Sequence, residues 1–74
     1  MLTMDDYIVI DKILPNYLEK GDLIKVKGEV YEVLNIQDTP KGFDVLVIDN
    51  YDLTKTISMP DDVMVSLVLD ERSL

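Results

Sequence analysis

Apolar and polar residues alternate with a period of two over most of the chain, and β-branched and aromatic side chains fill many of the apolar positions. This spacing is typical of half-buried β-strands, because successive side chains of a strand point to opposite faces. No segment shows a convincing 3.6-residue spacing of the kind that amphipathic helices have. Strands are predicted at residues 7–12, 23–27, 30–36, 43–48, 53–59 and 63–69.

Turn-forming residues separate these strands. Pro15 ends the first strand, because proline lacks a backbone donor and disfavours helix at the residue before it. Gly28 predicts a tight hairpin, in which a positive φ is needed. Residues 38–42 and 49–52 predict two further turns. A single 3₁₀ turn is expected near Pro60.

The third strand changes phase along its length. Tyr31 and Val33 share one parity, whereas Leu34 and Ile36 take the other, as happens where a strand bends or bulges. Five to six short strands with such a bend predict an all-β fold, a closed or nearly closed small antiparallel barrel. The barrel is expected to form a single domain over residues 1–74, frayed from about residue 70.

Residues 18–33, LEKGDLIKVKGEVYEV, resemble the opening of SH3-like domains of the KOW type. They are most similar to the N-terminal domain of the bacterial elongation factor P family, in which a Lys-Gly-Asp-like turn leads into a strand, a glycine-centred hairpin and a Tyr-x-Val strand. The resemblance implies an SH3-like barrel. In that family a lysine at the tip of the next hairpin enters the ribosome, and Lys41 lies at the comparable place, but here the glycine before it is missing.

In size, acidity and architecture the chain is also similar to small orphan barrels of bacteriophages, a resemblance that implies no particular activity. The formal net charge is −8, from 15 acidic and 7 basic residues. A surface of this sign repels the phosphate backbone, so nucleic acid is disfavoured as a partner. The acidic residues are dispersed rather than clustered, which solubility explains.

The chain contains no cysteine and no histidine. It therefore lacks thiolate chemistry, the commonest general base and the commonest metal ligand, so we predict neither an enzyme nor a cofactor or metal site. The absence of cysteine fits a reducing cytoplasm. The N-terminus does not resemble an export signal, and the longest uncharged apolar run, residues 45–48, is far too short to cross a bilayer.

Two acidic motifs have structural interpretations. Residues 49–52 do not place oxygen ligands at the alternate positions that a calcium loop needs, so a β-turn is favoured. Asp61 and Asp62 are adjacent, whereas acid–base catalysis needs two carboxylates facing each other across a substrate. We assign them to the turn after Pro60.

Some apolar residues exceed what one small interior can absorb. If Val45, Val47, Val65 and Leu67 point inward, the residues beside them in the strands point outward. The predicted outward patch, a site for a protein partner or for a second copy of the chain, comprises Tyr31, Leu46, Ile48, Met64 and Val68. The alternative is a second small core, covered by the N-terminal strand or by the loop around Pro15 and Tyr17.

The leading functional hypothesis is therefore a small acidic protein-interaction module with no small-molecule substrate. The alternative is a nucleic-acid or ribosome binder of the KOW type, with a basic surface formed by Lys20, Lys25, Lys27 and Lys41. A third hypothesis, an inhibitor that imitates DNA, needs ordered rows of carboxylates, which the sequence hardly supplies.

Overall fold

A computed structural model describes residues 7–70, which fold into six antiparallel strands and one 3₁₀ turn. The strands are β1 (Tyr7–Ile13), β2 (Leu23–Val26), β3 (Glu29–Thr39), β4 (Gly42–Ile48), β5 (Thr54–Pro60) and β6 (Val65–Asp70). The all-β class, the antiparallel pairing and the number of strands are confirmed.

All six strands belong to one sheet, in the order β1-β6-β2-β3-β4-β5. Strands β2 to β5 form the predicted meander, because short connections at residues 27–28, 40–41 and 49–53 keep consecutive strands adjacent. The meander does not include β1, since β6 lies between β1 and β2. Residues 14–22 make a longer connection, so β1 and β2 need not be neighbours.

The sheet curls around one interior. The main core contains Ile24 of β2, Val33 of β3, Val45 and Val47 of β4, and Met59 of β5, all buried. Each of the six strands contributes to this interior, since Val65 of β6 belongs to the core and Ile13 of β1 packs against it. The outer strands β1 and β5 do not pair with each other within residues 7–70, so the sheet is not closed by a continuous ladder.

The predicted phase change in the third strand is confirmed as a β-bulge. The β3–β4 register shifts between Val33 and Asn35, which leaves Leu34 as the extra residue. A bulge bends a strand and increases its twist. This lets β3, the longest strand, follow the curl of the sheet over 11 residues.

The single 3₁₀ turn lies at Pro15–Tyr17, so its predicted position near Pro60 is wrong. The Tyr17 N–H donates to the Leu14 carbonyl at 3.0 Å, and the Leu18 N–H donates to the Pro15 carbonyl at 3.1 Å. Pro15 and Leu18 are buried, and Leu18 joins the main core. This burial anchors the turn between them.

Pro60 instead ends β5, where it pairs with Gly42 of β4. A proline is tolerated there because β5 is an outer strand, whose second edge needs no ladder donor. The last strand consequently begins at Val65, two residues later than predicted. It ends at Asp70, which pairs with Tyr7 rather than fraying. Residues 71–74, for which fraying was also expected, lie outside the described residues.

The β2–β3 hairpin is tight, as Gly28 predicts. Val26 pairs with Glu29, and both residues between them have positive φ, 51° at Lys27 and 81° at Gly28. Two positive φ angles define a type I′ turn, which matches the twist of the flanking strands. The turn fixes Lys27 beside the end of β2.

Gly42, at the start of β4, is required for a different reason, which is close approach of the backbone. Its φ is +152°, and a Cβ placed there would lie 2.2 Å from the Met59 carbonyl oxygen. We expect Gly42→Ala to lower the free energy of unfolding by about 3 kcal/mol or more, measured by urea denaturation.

Gly21→Ala is the matched control for this substitution. Gly21 also has a positive φ, +93°, but nothing lies within 4 Å of its Cβ position. Gly21→Ala should lower the free energy of unfolding only by the backbone strain of a positive φ, about 1–2 kcal/mol. Equal losses in the two variants would contradict the steric account of Gly42.

Candidate functional site

The five residues of the predicted outward patch do not form one surface. Leu46 is 37% exposed and Ile48 is half-buried, both on the outer face of β4. Their cross-strand neighbours are polar: Asn35 and Thr56 flank Leu46, and Glu32 and Thr54 flank Ile48. Met64 is 56% exposed but lies in the turn before β6, away from β4 in the sheet order.

Tyr31 is 3% exposed and belongs to the main core, so its predicted outward position is wrong. It pairs with Ile24, the fully buried residue of β2, and this pairing places both side chains on the inner face. The Tyr31 hydroxyl reaches the edge of the interior, where it donates to Glu29 Oε2 at 2.5 Å.

Val68 is also buried, at 5% exposure, so it is not part of an outward surface either. It lies outside the main core and pairs with Val9 of β1. The N-terminal strand thus lies beside it, which agrees with the alternative of a second small core for this residue. Val65 is buried and Leu67 packs against the main core, as predicted.

A groove runs between the two parts of the sheet that curl toward each other without pairing. One wall is β5, and the other is formed by the end of β2 and the start of β6. We call it the seam groove. Its apolar lining comprises Val26, Ile57, Met59, Pro60, Val63, Met64 and Val65.

The seam groove exposes apolar surface. Val63 is 53% exposed and Met64 56% exposed, next to the half-buried Val26 and Ile57. The groove has a volume of about 370 Å³. Sites of about 300–1,000 Å³ with mostly apolar walls are typical of ligand binding, and here the walls favour apolar side chains.

The charge of the seam groove is opposite to that of the whole chain. Among the described residues Lys25 and Lys27 line it and no carboxylate does, although Asp61 and Asp62 lie in the turn between the lining residues Pro60 and Val63. This is notable in a chain with a net charge of −8. The third polar residue of the lining is Ser58, whose hydroxyl donates to Asp44 Oδ1 at 2.9 Å on the outer face of the sheet.

A second cluster adjoins the groove along β5. The Lys55 ammonium lies 4.7 Å from the centroid of the Tyr31 ring, a cation–π distance. Lys55 has the same parity as Ile57 and Met59, so it reaches over the open end of the interior. Lys27 and Glu29 line the same region, so this cluster continues the seam groove.

The pKa of Lys55 is raised above its ordinary value, first by hydrogen bonding to Tyr31 and then by the negative charges of Glu29 and Asp49, while partial desolvation opposes the change. A lysine with a raised pKa adds stability below its unfolded pKa of 10.5, and this is lost as the pH rises through the raised value. The ammonium is therefore charged throughout the neutral range.

The four lysines of the alternative hypothesis are not grouped on one face. Lys25 and Lys27 lie at the seam groove, but Lys20 precedes Gly21, whose N–H donates to the Val33 carbonyl at the middle of β3. Lys41 lies in the β3–β4 turn, at the far end of β3 from Lys27. Sequence reasoning missed Lys55, although its shared parity with Ile57 and Met59 was a usable signal.

The predicted turn at residues 49–52 is confirmed, and Asp49 organises it. Its Oδ1 accepts the Tyr51 N–H at 2.8 Å and the Leu53 N–H at 3.0 Å. Asp52 takes a positive φ of 62°. Within residues 7–70 there is no group of three acidic, histidine or cysteine side chains that could hold a metal ion.

We expect Asp49→Ala to lower the free energy of unfolding by about 1–2 kcal/mol, because two backbone donors lose their acceptor. Asp49→Asn should cost clearly less, since its amide oxygen can accept the same two bonds. Thermal unfolding of both variants, with and without calcium, measures this. A stabilisation by calcium that either substitution removed would contradict the purely structural role of Asp49.

Comparisons with protein families, with curated proteins and with solved structures find no match to this chain. The resemblance to KOW-type domains therefore stays a prediction from the sequence. In the part of the chain that the structure describes, no helix has the length and apolar character needed to cross a membrane.

Proposed function

We propose that this chain is a small protein-interaction module that docks on a partner protein through the seam groove. The observation that carries the proposal is the exposure of Val63 and Met64 beside Val26 and Ile57, in a concave site lined by lysines on an acidic protein. Apolar residues grouped in this way mark interaction surfaces more often than residues exposed singly.

The groove supports binding better than catalysis. Its charged side chains are lysines, and the hydroxyl of Ser58 is engaged by Asp44. Acid–base or nucleophilic catalysis needs a titratable pair within hydrogen-bond reach of one reacting atom. The described residues of the lining include no carboxylate or histidine.

Met64 is the one residue of the originally predicted patch that lies in the seam groove. Leu46 and Ile48 belong to a different surface, on the outer face of β4, where polar neighbours interrupt the apolar area. The proposed docking surface is therefore the seam groove and not the outer face of β4. Self-association stays an alternative for the same groove, and the net charge of −8 opposes it.

The proposal is tested with the tagged full-length chain in an extract of the source cell. We expect Met64→Asp to weaken capture of the partner about tenfold or more, since a charge replaces an exposed apolar side chain of the groove lining. Leu46→Asp is the matched control, because Leu46 is also an exposed apolar residue but lies on β4. Quantitative mass spectrometry of the captured proteins measures both variants.

Equal capture by the wild type and by Met64→Asp would contradict the proposal. Loss of capture in Leu46→Asp but not in Met64→Asp would return the docking surface to β4. Capture that nuclease removes and that weakens steeply with salt would favour the KOW-type alternative, in which lysines contact phosphates.

A further inference from the structure

The outer edge of β5 forms one wall of the seam groove. Among the described residues β5 pairs with β4 alone, from Thr54 to Pro60, and no strand occupies its other side. The outer edge of a strand carries a row of backbone donors and acceptors, which a further extended segment can use. Pro60 removes a donor only at the end of this edge.

The opposite wall leaves room for such a segment. β2 pairs with β6 only at Ile24 and Lys25, so Val26 and the turn after it have no strand on that side. These residues face Ile57 and Met59 of β5 across the groove. An extended chain laid along β5 would place alternate side chains against this apolar lining.

The charge of the rim indicates which segment fits. Among the described residues that line the groove, Lys25 and Lys27 are the charged ones, and in the adjoining cluster Lys27 and Lys55 lie together with one carboxylate, that of Glu29. Complementary charge across an interface speeds association and discriminates against partners of the wrong sign. An acidic segment fits this rim, whereas a basic segment would meet like charge.

We propose that the occupant of the seam groove is an extended segment of a partner protein, rich in acidic and apolar residues, that adds as a strand to the outer edge of β5. This inference rests on the proposed function and specifies its partner. The apolar side chains of the segment lie against Val26, Ile57 and Met64. Its carboxylates lie near Lys25 and Lys27.

The probe is a synthetic peptide that alternates valine and glutamate. A length of about eight residues spans β5 at about 3.3 Å per residue. The ¹⁵N-labelled full chain is titrated with this peptide and followed by NMR. We expect shift changes confined to β2, β5 and residues 63–65, and slower hydrogen exchange of β5 amides.

Two further peptides separate the parts of the inference. A peptide that alternates valine and lysine should not bind, and equal binding would overturn the charge argument. A valine–glutamate peptide is also prepared with N-methyl groups on alternate amides, in both registers, so that one of the two forms loses the N–H donors that face β5. Unchanged binding of both N-methylated forms would overturn strand addition.

Paired variants test the rim. Lys25→Gln with Lys27→Gln should weaken peptide binding about tenfold, whereas Lys20→Gln with Lys41→Gln should leave it unchanged. Equal weakening by the two pairs would show a general charge effect and would overturn the assignment to this rim.

Light scattering across a concentration series, without peptide, tests whether a second copy of the chain occupies the groove. We expect a constant mass. A rise in mass that Met64→Asp abolishes would make a second copy the occupant.

The two proposals fail in different ways. If the valine–glutamate peptide does not bind but Met64→Asp still abolishes capture, the partner chemistry is wrong and the docking function stands. If the peptide does not bind and Met64→Asp leaves capture unchanged, both are wrong.

Discussion

The rest of this structure depends on the packing of β-branched side chains inside a sheet that curls but does not close. Val33, Val45 and Val47 lie side by side on adjacent strands and are at most 1% exposed, so the sheet must curl for side chains of the other strands to cover them. The bulge at Leu34 supplies the bend. In a chain of 74 residues the core is thin, and losing part of this contact would leave little to hold the strands together.

The seam groove follows from the same constraint. The curl brings β5 toward β3, as the position of Lys55 over the Tyr31 ring shows, although β4 separates the two strands in the sheet. It also brings β5 opposite the end of β2 across the seam groove. No ladder joins β5 to β2 within the described residues, so apolar residues along this line are only half covered. The missing ladder that leaves the sheet open thus also creates the seam groove.

Two lysines distinguish the seam groove from the rest of an acidic chain. The net charge of the chain is −8, and an evenly acidic surface would not distinguish one face from another. The type I′ turn holds Lys27 at the end of β2. Lys25 lies two residues earlier, within β2, where it pairs with Val30 of β3. Two lysines that are unremarkable in the sequence therefore become the rim of an apolar groove.

Local pattern determined the strands, the hairpin at Gly28, the turn at Asp49, the bulge near Leu34 and the inward positions of Val45 and Val47. Each of these depends on residues close together in the chain. Only the tertiary structure decided that β6 lies between β1 and β2, that Tyr31 and Val68 are buried, and that Lys55 meets Tyr31. Alternation gives the two faces of a strand, but it does not say which strand lies beside it or what covers each face, because that depends on pairing between residues far apart in sequence.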